Sequence, residues 1–240
     1  MNLEARIDEV RAEYLRRMTQ GDSALLRQVE DYTTTRNGKL LRPRMLLTAA
    51  ATLGEAHFLS RRTLLLAVCV EMIHNTSLLH DDVIDRADSR REQPSVNARW
   101  NNAVAVLVGD YLLTQIMELL DEVNEPELTR KVNQTVRNMV EAELLQQEVC
   151  LHDIKTSSHQ DSEASPSLQD YLRIIDGKTA NLFALAAEMG NPAYRDFGLH
   201  YGRLFQLHDD VADGEAGPYT PDLIIQEKNA INNLANVLNI

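Results

Sequence analysis

One seven-residue pattern occurs twice, as Leu79-His80-Asp81-Asp82-Val83-Ile84-Asp85 and as Leu207-His208-Asp209-Asp210-Val211-Ala212-Asp213, differing only at Ile84 against Ala212. Each copy follows an apolar run and ends where that pattern breaks, as the last turns of two buried helices would. Residues four apart share a helix face, so Asp81 projects with Asp85 and Asp209 with Asp213. Carboxylates are disfavoured at a helix C-terminus, where the macrodipole is already negative. Two such ends brought face to face would form a pocket that repels itself unless cations fill it. All-oxygen ligands select hard ions, so Mg²⁺ is expected there, several ions per site, with Mn²⁺ a second possibility. A single acidic pair near a helix end is usually solvated surface. The repetition, and the apolar side that each copy adjoins, favour a paired metal site.

The 240 residues are enough for one large domain with a sizeable core. Only 10 Gly and 7 Pro are present and long amphipathic patterns dominate, so the expected class is all-α. A formal net charge of −12 argues against nucleic-acid partners and against a polybasic membrane anchor. No apolar run is read as approaching a membrane span, and no signal peptide is read at the N-terminus, which places the chain in the cytoplasm. Cys69 and Cys150 lack metal-ligand spacing and read as buried, reduced thiols.

Helices are expected over 3–18, 23–35, about 41–53 and 62–85. Others follow at 95–100, 103–122, about 127–150, 168–175 and 179–189, then on the segment of the second motif and over 223–238. Arg86–Gln93 reads as a charged loop and Lys155–Ser167 as an exposed, polar loop. No linker separates two cores, so residues 1–240 read as a single helical domain. Basic residues cluster at Lys39 with Arg42, at His74, at Arg90 with Arg91, and at Lys178. Convergent Lys and Arg beside divalent cations are what a diphosphate requires. Alone, Arg90-Arg91 could be a surface pair and His74 a hydrogen-bonded core residue.

Together these segments resemble the trans-isoprenyl diphosphate synthases, the polyprenyl synthetase family. Asp81-Asp82-Val83-Ile84-Asp85 resembles its first aspartate-rich motif, with Arg90-Arg91 behind it, and Gly38-Lys39-Leu40-Leu41-Arg42-Pro43 resembles its GKRLRP segment. Lys178-Thr179-Ala180 resembles its KT segment, and Phe205-Gln206-Leu207-His208-Asp209-Asp210 the start of its second motif. Pro94, Asn97 and Val106–Asp110 also match, and the likeness runs from about Arg36 to Asp213. It implies an isoprenoid-synthase-type helical bundle around a central cavity. It also implies a Mg²⁺-dependent transferase that joins isopentenyl diphosphate to an allylic diphosphate, geranyl, farnesyl or longer. By the same resemblance Asp81, Asp82, Asp85 and Asp209 hold the metal ions, and Asp210 and Asp213 complete the second acidic wall. Arg90, Lys178, Thr179 and Gln206 contact the allylic substrate, while Lys39, Arg42, His74 and Arg91 bind isopentenyl diphosphate.

Thr76 and Ser77, just before the first motif, are small, which resembles makers of geranylgeranyl or longer products; a floor around Tyr111–Met117 would stop growth sooner. Leu40 stands where the family usually has Arg, and Glu92 where it usually has Gly. After Asp213 the family continues through a lysine-bearing loop and further helices that this chain lacks. The resemblance therefore implies a shortened member, and Lys228 does not replace the missing lysine. An active synthase, a homodimer by family likeness, is the main expectation. The alternatives are a non-catalytic or partner-dependent subunit of a heteromeric synthase and, least favoured, a terpene cyclase, which needs no second diphosphate site.

Overall fold

The computed structural model describes residues 2–34, 38–90, 92–156 and 167–238. Its contacts divide the chain into two compact units, 1–126 and 127–240. Both are helical, and the described strands are two residues each, so the all-α class holds.

The first unit contains α1 (Leu3–Met18), α2 (Ala24–Thr34), α3 (Leu41–Ala51), the short α4 (Glu55–Phe58), α5 (Arg61–Ile84), the short α6 (Val96–Arg99) and α7 (Asn102–Val123). Strands β1 (Ser89–Arg90) and β2 (Gln93–Pro94) form a hairpin between α5 and α6. At the centre runs α5, in which every residue from 65 to 73 is buried. A helix apolar all round must be covered all round, and α1, α3 and α7 pack against it. Ser60 starts it, its Oγ accepting the Thr63 amide at 3.1 Å. At the start of α5 the charges interlock. Glu13 accepts from Arg16, Arg17 and Arg61, and Arg61 also donates to Glu122 at the end of α7. These cations hold the Glu13 carboxyl down at about 2, Arg16 contributing most.

The second unit contains α8 (Pro126–Thr156), α9 (Leu168–Ile175), α10 (Asn181–Gly190), α11 (Arg195–Asp213) and α12 (Thr220–Leu238). A π-helical turn, Asp176–Ala180, joins α9 to α10, and a 3₁₀ turn, Pro192–Tyr194, leads into α11. Here α10 is central, with residues 182–187 all buried. It meets α11 at close range because Gly198 and Gly202 lack side chains. A Cβ at Gly198 would lie 2.6 Å from the Phe183 carbonyl oxygen, and one at Gly202 2.6 Å from the Ala180 Cα. The Phe183 ring fills the remaining space against Tyr201 and Phe205.

Most helix bounds agree with the sequence reading to within a few residues. The segments expected as separate helices at 168–175 and 179–189 are instead continuous through the π-helical turn. The loop expected over 86–93 contains the hairpin, and most of the loop expected at 155–167 lies outside the described residues. One expectation is corrected. By length and mean hydropathy α5 and α7 could each cross a membrane, although 72% of the α5 window and 44% of the α7 window are buried. Cys69 is a buried thiol pushed up to about 12 by burial; the side chain of Cys150 is outside the described set.

Glu30 is a carboxylate on α2 only 1% exposed, and burial, reinforced by Asp31, raises it to about 7. A raised carboxyl gives stability that is complete below its unfolded value near 4.5 and is lost as pH rises through 7. Glu30→Gln removes that loss. Thermal unfolding should show the variant gaining on wild type from pH 4 to pH 8 by on the order of 1–3 kcal/mol; equal slopes against pH would disprove the assignment.

Candidate active site

Within the first unit the acidic motif occupies the last turn of α5. Asp85 is exposed, Asp81 is partly exposed, and Asp82 is 2% exposed. The buried carboxylate is answered by Arg90, whose Nε and Nη2 approach Asp82 Oδ1 at 2.7 and 2.6 Å. The backbone around it is tied down as well. Asn97 Nδ2 donates to the carbonyl oxygens of Asp82 at 3.1 Å and Ala87 at 3.2 Å, and the Ser95 hydroxyl donates to Ala87 O at 2.5 Å. Arg90 stands on β1 of the hairpin and meets the end of α5 from there.

A cavity of about 160 Å³ lies beside this helix end. Asp82, Arg90 and Gly38 border it, and Tyr14, Leu78 and Leu112 wall it. Val108 and Leu112, which also line it, come from α7. Lys39 is exposed and its carbonyl accepts Arg44 Nε at 2.9 Å, whereas Arg42 is buried in the first turn of α3. His74 is partly exposed, its carbonyl accepting the Ser77 hydroxyl at 2.9 Å. Thr76 is buried. Arg91 lies outside the described residues.

In the second unit the last turn of α11 carries Asp209 and Asp213, both exposed, while Asp210 is 8% exposed. Both Asp210 oxygens are engaged: Oδ1 by Gln206 Nε2 at 2.8 Å and Oδ2 by the Tyr171 hydroxyl at 2.5 Å. Gln206 in turn accepts the Thr179 hydroxyl at 2.6 Å. Lys178 sits in the π-helical turn, a feature frequent at functional sites. Its Nζ donates to Gln146 Oε1 at 2.8 Å and lies 3.0 Å from Glu143 Oε2. Two of its three donors are so engaged. Sequence alone does not single out Glu143, because the reach from 143 to 178 carries no local signal. Tyr171 was likewise not singled out.

Among the described residues no three His, Cys, Asp or Glu side chains converge on a ready cation cage. Two carboxylates one turn apart on each motif still fit Mg²⁺, which keeps several waters and takes one or two carboxylates plus phosphate oxygens.

Both units are helical, and each closes a packed helix with an acidic motif. The family model for polyprenyl synthetases matches residues 23–223. The all-trans-nonaprenyl-diphosphate synthase (geranyl-diphosphate specific) of Rhodobacter capsulatus is 36% identical over 86% of this chain and 61% of its own length. The heptaprenyl diphosphate synthase component 2 of Bacillus subtilis is 32% identical over 86% of this chain and 58% of its own. The crystal structure of a polyprenyl synthase from Caulobacter crescentus complexed with calcium and isoprenyl diphosphate aligns with a TM-score of 0.74. It is 27% identical and covers 98% of this chain and 85% of that one. The chain belongs to the polyprenyl synthetase family, and it spans about three fifths of the length of those two curated relatives.

Glu92, where the family usually has Gly, adopts φ +65°, in the left-handed region that favours glycine. Its side chain is exposed and adds nothing to the hairpin core. Glu92→Gly should therefore raise unfolding stability by about 0.5–1 kcal/mol, measured by denaturant titration. A loss of stability would show that the Glu92 side chain holds the hairpin.

Proposed function

We propose that this chain is a Mg²⁺-dependent trans-prenyltransferase that condenses isopentenyl diphosphate with an allylic diphosphate to give a longer prenyl diphosphate. The observation that carries the reading is a shared division within both acidic motifs. The central carboxylate is buried and engaged, by Arg90 in one and by Tyr171 and Gln206 in the other. Asp81 with Asp85, and Asp209 with Asp213, reach toward solvent one turn apart. We assign Asp81, Asp85 and Asp209 to the metal ions, and Asp213 to the second acidic wall. By the motif reading Asp82 joins the metal ligands and Asp210 the second acidic wall, each oriented by its partners, Arg90 for Asp82 and Tyr171 with Gln206 for Asp210. We take residues 1–240 to act as a single functional domain, in which each motif serves diphosphate binding.

The chemistry such cations supply is neutralisation of the diphosphate oxygens while the allylic carbon–oxygen bond breaks. Lys178, through its third donor, and the Arg90 guanidinium each supply positive charge of the kind a leaving diphosphate needs. Thr179 and Gln206 orient the allylic substrate. Lys39, Arg42, His74 and Arg91 hold the second diphosphate, so that the isopentenyl double bond attacks the allylic carbon. A carbon–carbon bond forms, and one proton leaves with the departing diphosphate as base. Apolar walls such as Val108 and Leu112 keep water from the cation.

The small Thr76 and Ser77, and the nonaprenyl and heptaprenyl products named for the two relatives, support a long product. Exposed apolar side chains on α7, Leu107 at 66% and Met117 at 67%, support a homodimer. A second reading, a subunit active only with a partner, is favoured by the likeness to a protein named as component 2. A cytoplasmic location accompanies either reading.

Incubation with Mg²⁺, labelled isopentenyl diphosphate and a geranyl or farnesyl primer should yield an elongated product. Asp81→Asn and Asp209→Asn should each lower turnover at least about 100-fold. Unchanged turnover in either variant would remove that residue from the metal site. No product from wild type, with diphosphate binding intact, would favour the subunit. Ser77→Phe should shorten the product distribution; an unchanged distribution would show that growth is stopped elsewhere.

A further inference from the structure

Three residues on one face of α11, Arg203, Gln206 and Asp210, reach toward the segment that carries Lys178. Arg203 grips Asp176, the first residue of the π-helical turn, through Nε at 2.5 Å and Nη2 at 2.7 Å. Gln206 takes the Thr179 hydroxyl near the end of that turn. Asp210 takes the hydroxyl of Tyr171 on α9, one helix earlier. The turn is therefore pinned at both ends, and Lys178 lies between the two pins. Such double restraint suits a π-helical turn, whose wider hydrogen-bond ring is rarely stable alone.

We propose that Tyr171 is a positioning residue: through Asp210 and Gln206 its hydroxyl sets where Thr179 and Lys178 stand relative to Asp209 and Asp213. The proposal rests on the diphosphate-binding reading above and adds a residue to it. The hydrogen-bond chain has one direction. Thr179 donates to the Gln206 carbonyl oxygen, which orients the amide so that its NH₂ faces Asp210 Oδ1. Tyr171 donates to the remaining carboxylate oxygen. Were either donor lost, Asp210 or Gln206 could rotate, and the amide orientation that holds Thr179 would no longer be imposed. Burial, then the Asp210 carboxylate, push the Tyr171 hydroxyl well above its ordinary value, so it remains a donor throughout the working range. The ring is fixed independently of the hydroxyl, packed against the cluster of Ile175, Leu207 and Leu223. Tyr171→Phe therefore removes the donor and keeps the packing.

The test is calorimetric titration of the whole chain with inorganic diphosphate in Mg²⁺, on wild type, Tyr171→Phe, Thr179→Val and the double variant. Each single variant should bind about 3–10-fold more weakly with an unchanged number of sites per chain, the range expected for the net contribution of one ordinary hydrogen bond. The double variant should bind no more weakly than the worse single one, because both break the same chain. A merely structural role would lower the number of sites and leave the dissociation constant of the folded fraction unchanged. If Tyr171→Phe does not fold, Thr179→Val carries the same expectation from the other end. Wild-type affinity in a folded single variant, or fully multiplicative losses in the double one, would overturn the relay. Absence of binding in wild type would instead overturn the diphosphate reading on which it rests.

Discussion

A helix that ends in three carboxylates works against its own dipole, and in each unit of this chain such an end closes a helix packed into the core. Exposed carboxylates can leave their charge in water. A buried one cannot, because its desolvation must be offset by a specific partner. Asp82 and Asp210 are the two buried members, and much of the nearby architecture serves to answer them. For Asp82 the chain builds a hairpin that returns Arg90 to the helix end. For Asp210 it uses two uncharged donors on different elements, Tyr171 and Gln206.

The difference in partners has a consequence. Arg90 neutralises Asp82, so the first motif presents its outer carboxylates beside a pair of no net charge. Tyr171 and Gln206 leave the charge of Asp210 in place and only orient it. The second motif thus keeps a larger negative field, and Lys178, on the turn that Gln206 helps to hold, sits within the same unit as that field. In this structure Lys178 is itself held by Glu143 and Gln146. A ligand diphosphate would have to compete with one carboxylate for a lysine whose remaining donor is all that is uncommitted.

Helices and acidic motifs were legible in the sequence because their signals are local. The Asp81–Asp85 spacing, the Asp209–Asp213 spacing and the apolar runs before them each report on a neighbourhood of a few residues. The engagement of Asp82 by Arg90 lies eight residues along the chain and was partly legible, since both belonged to recognised segments. The engagement of Asp210 by Tyr171 spans 39 residues and that of Lys178 by Gln146 spans 32. No periodicity encodes such pairs; only the fold brings them together. The π-helical turn was missed for another reason. Asp176 and Gly177 read as a break between two helices, and the continuity of the chain through the turn shows only once Arg203 and Gln206 are seen holding its ends.

Two departures from the family pattern, Leu40 and Glu92, share a property that the sequence does not display. Both adopt positive φ, +50° and +65°. At Glu92 the usual glycine would take that conformation without strain, so the substitution costs backbone energy and places a carboxylate at the exposed tip of the hairpin. At Leu40 the usual arginine would meet the same backbone restriction, so strain is unchanged and what is lost is a cation. The first change therefore bears on the stability of the hairpin that delivers Arg90, and the second on the charge available beside Lys39 and Arg42. Physically they are different events: one weakens a support of the acidic motif, the other thins the positive field proposed to hold the second diphosphate.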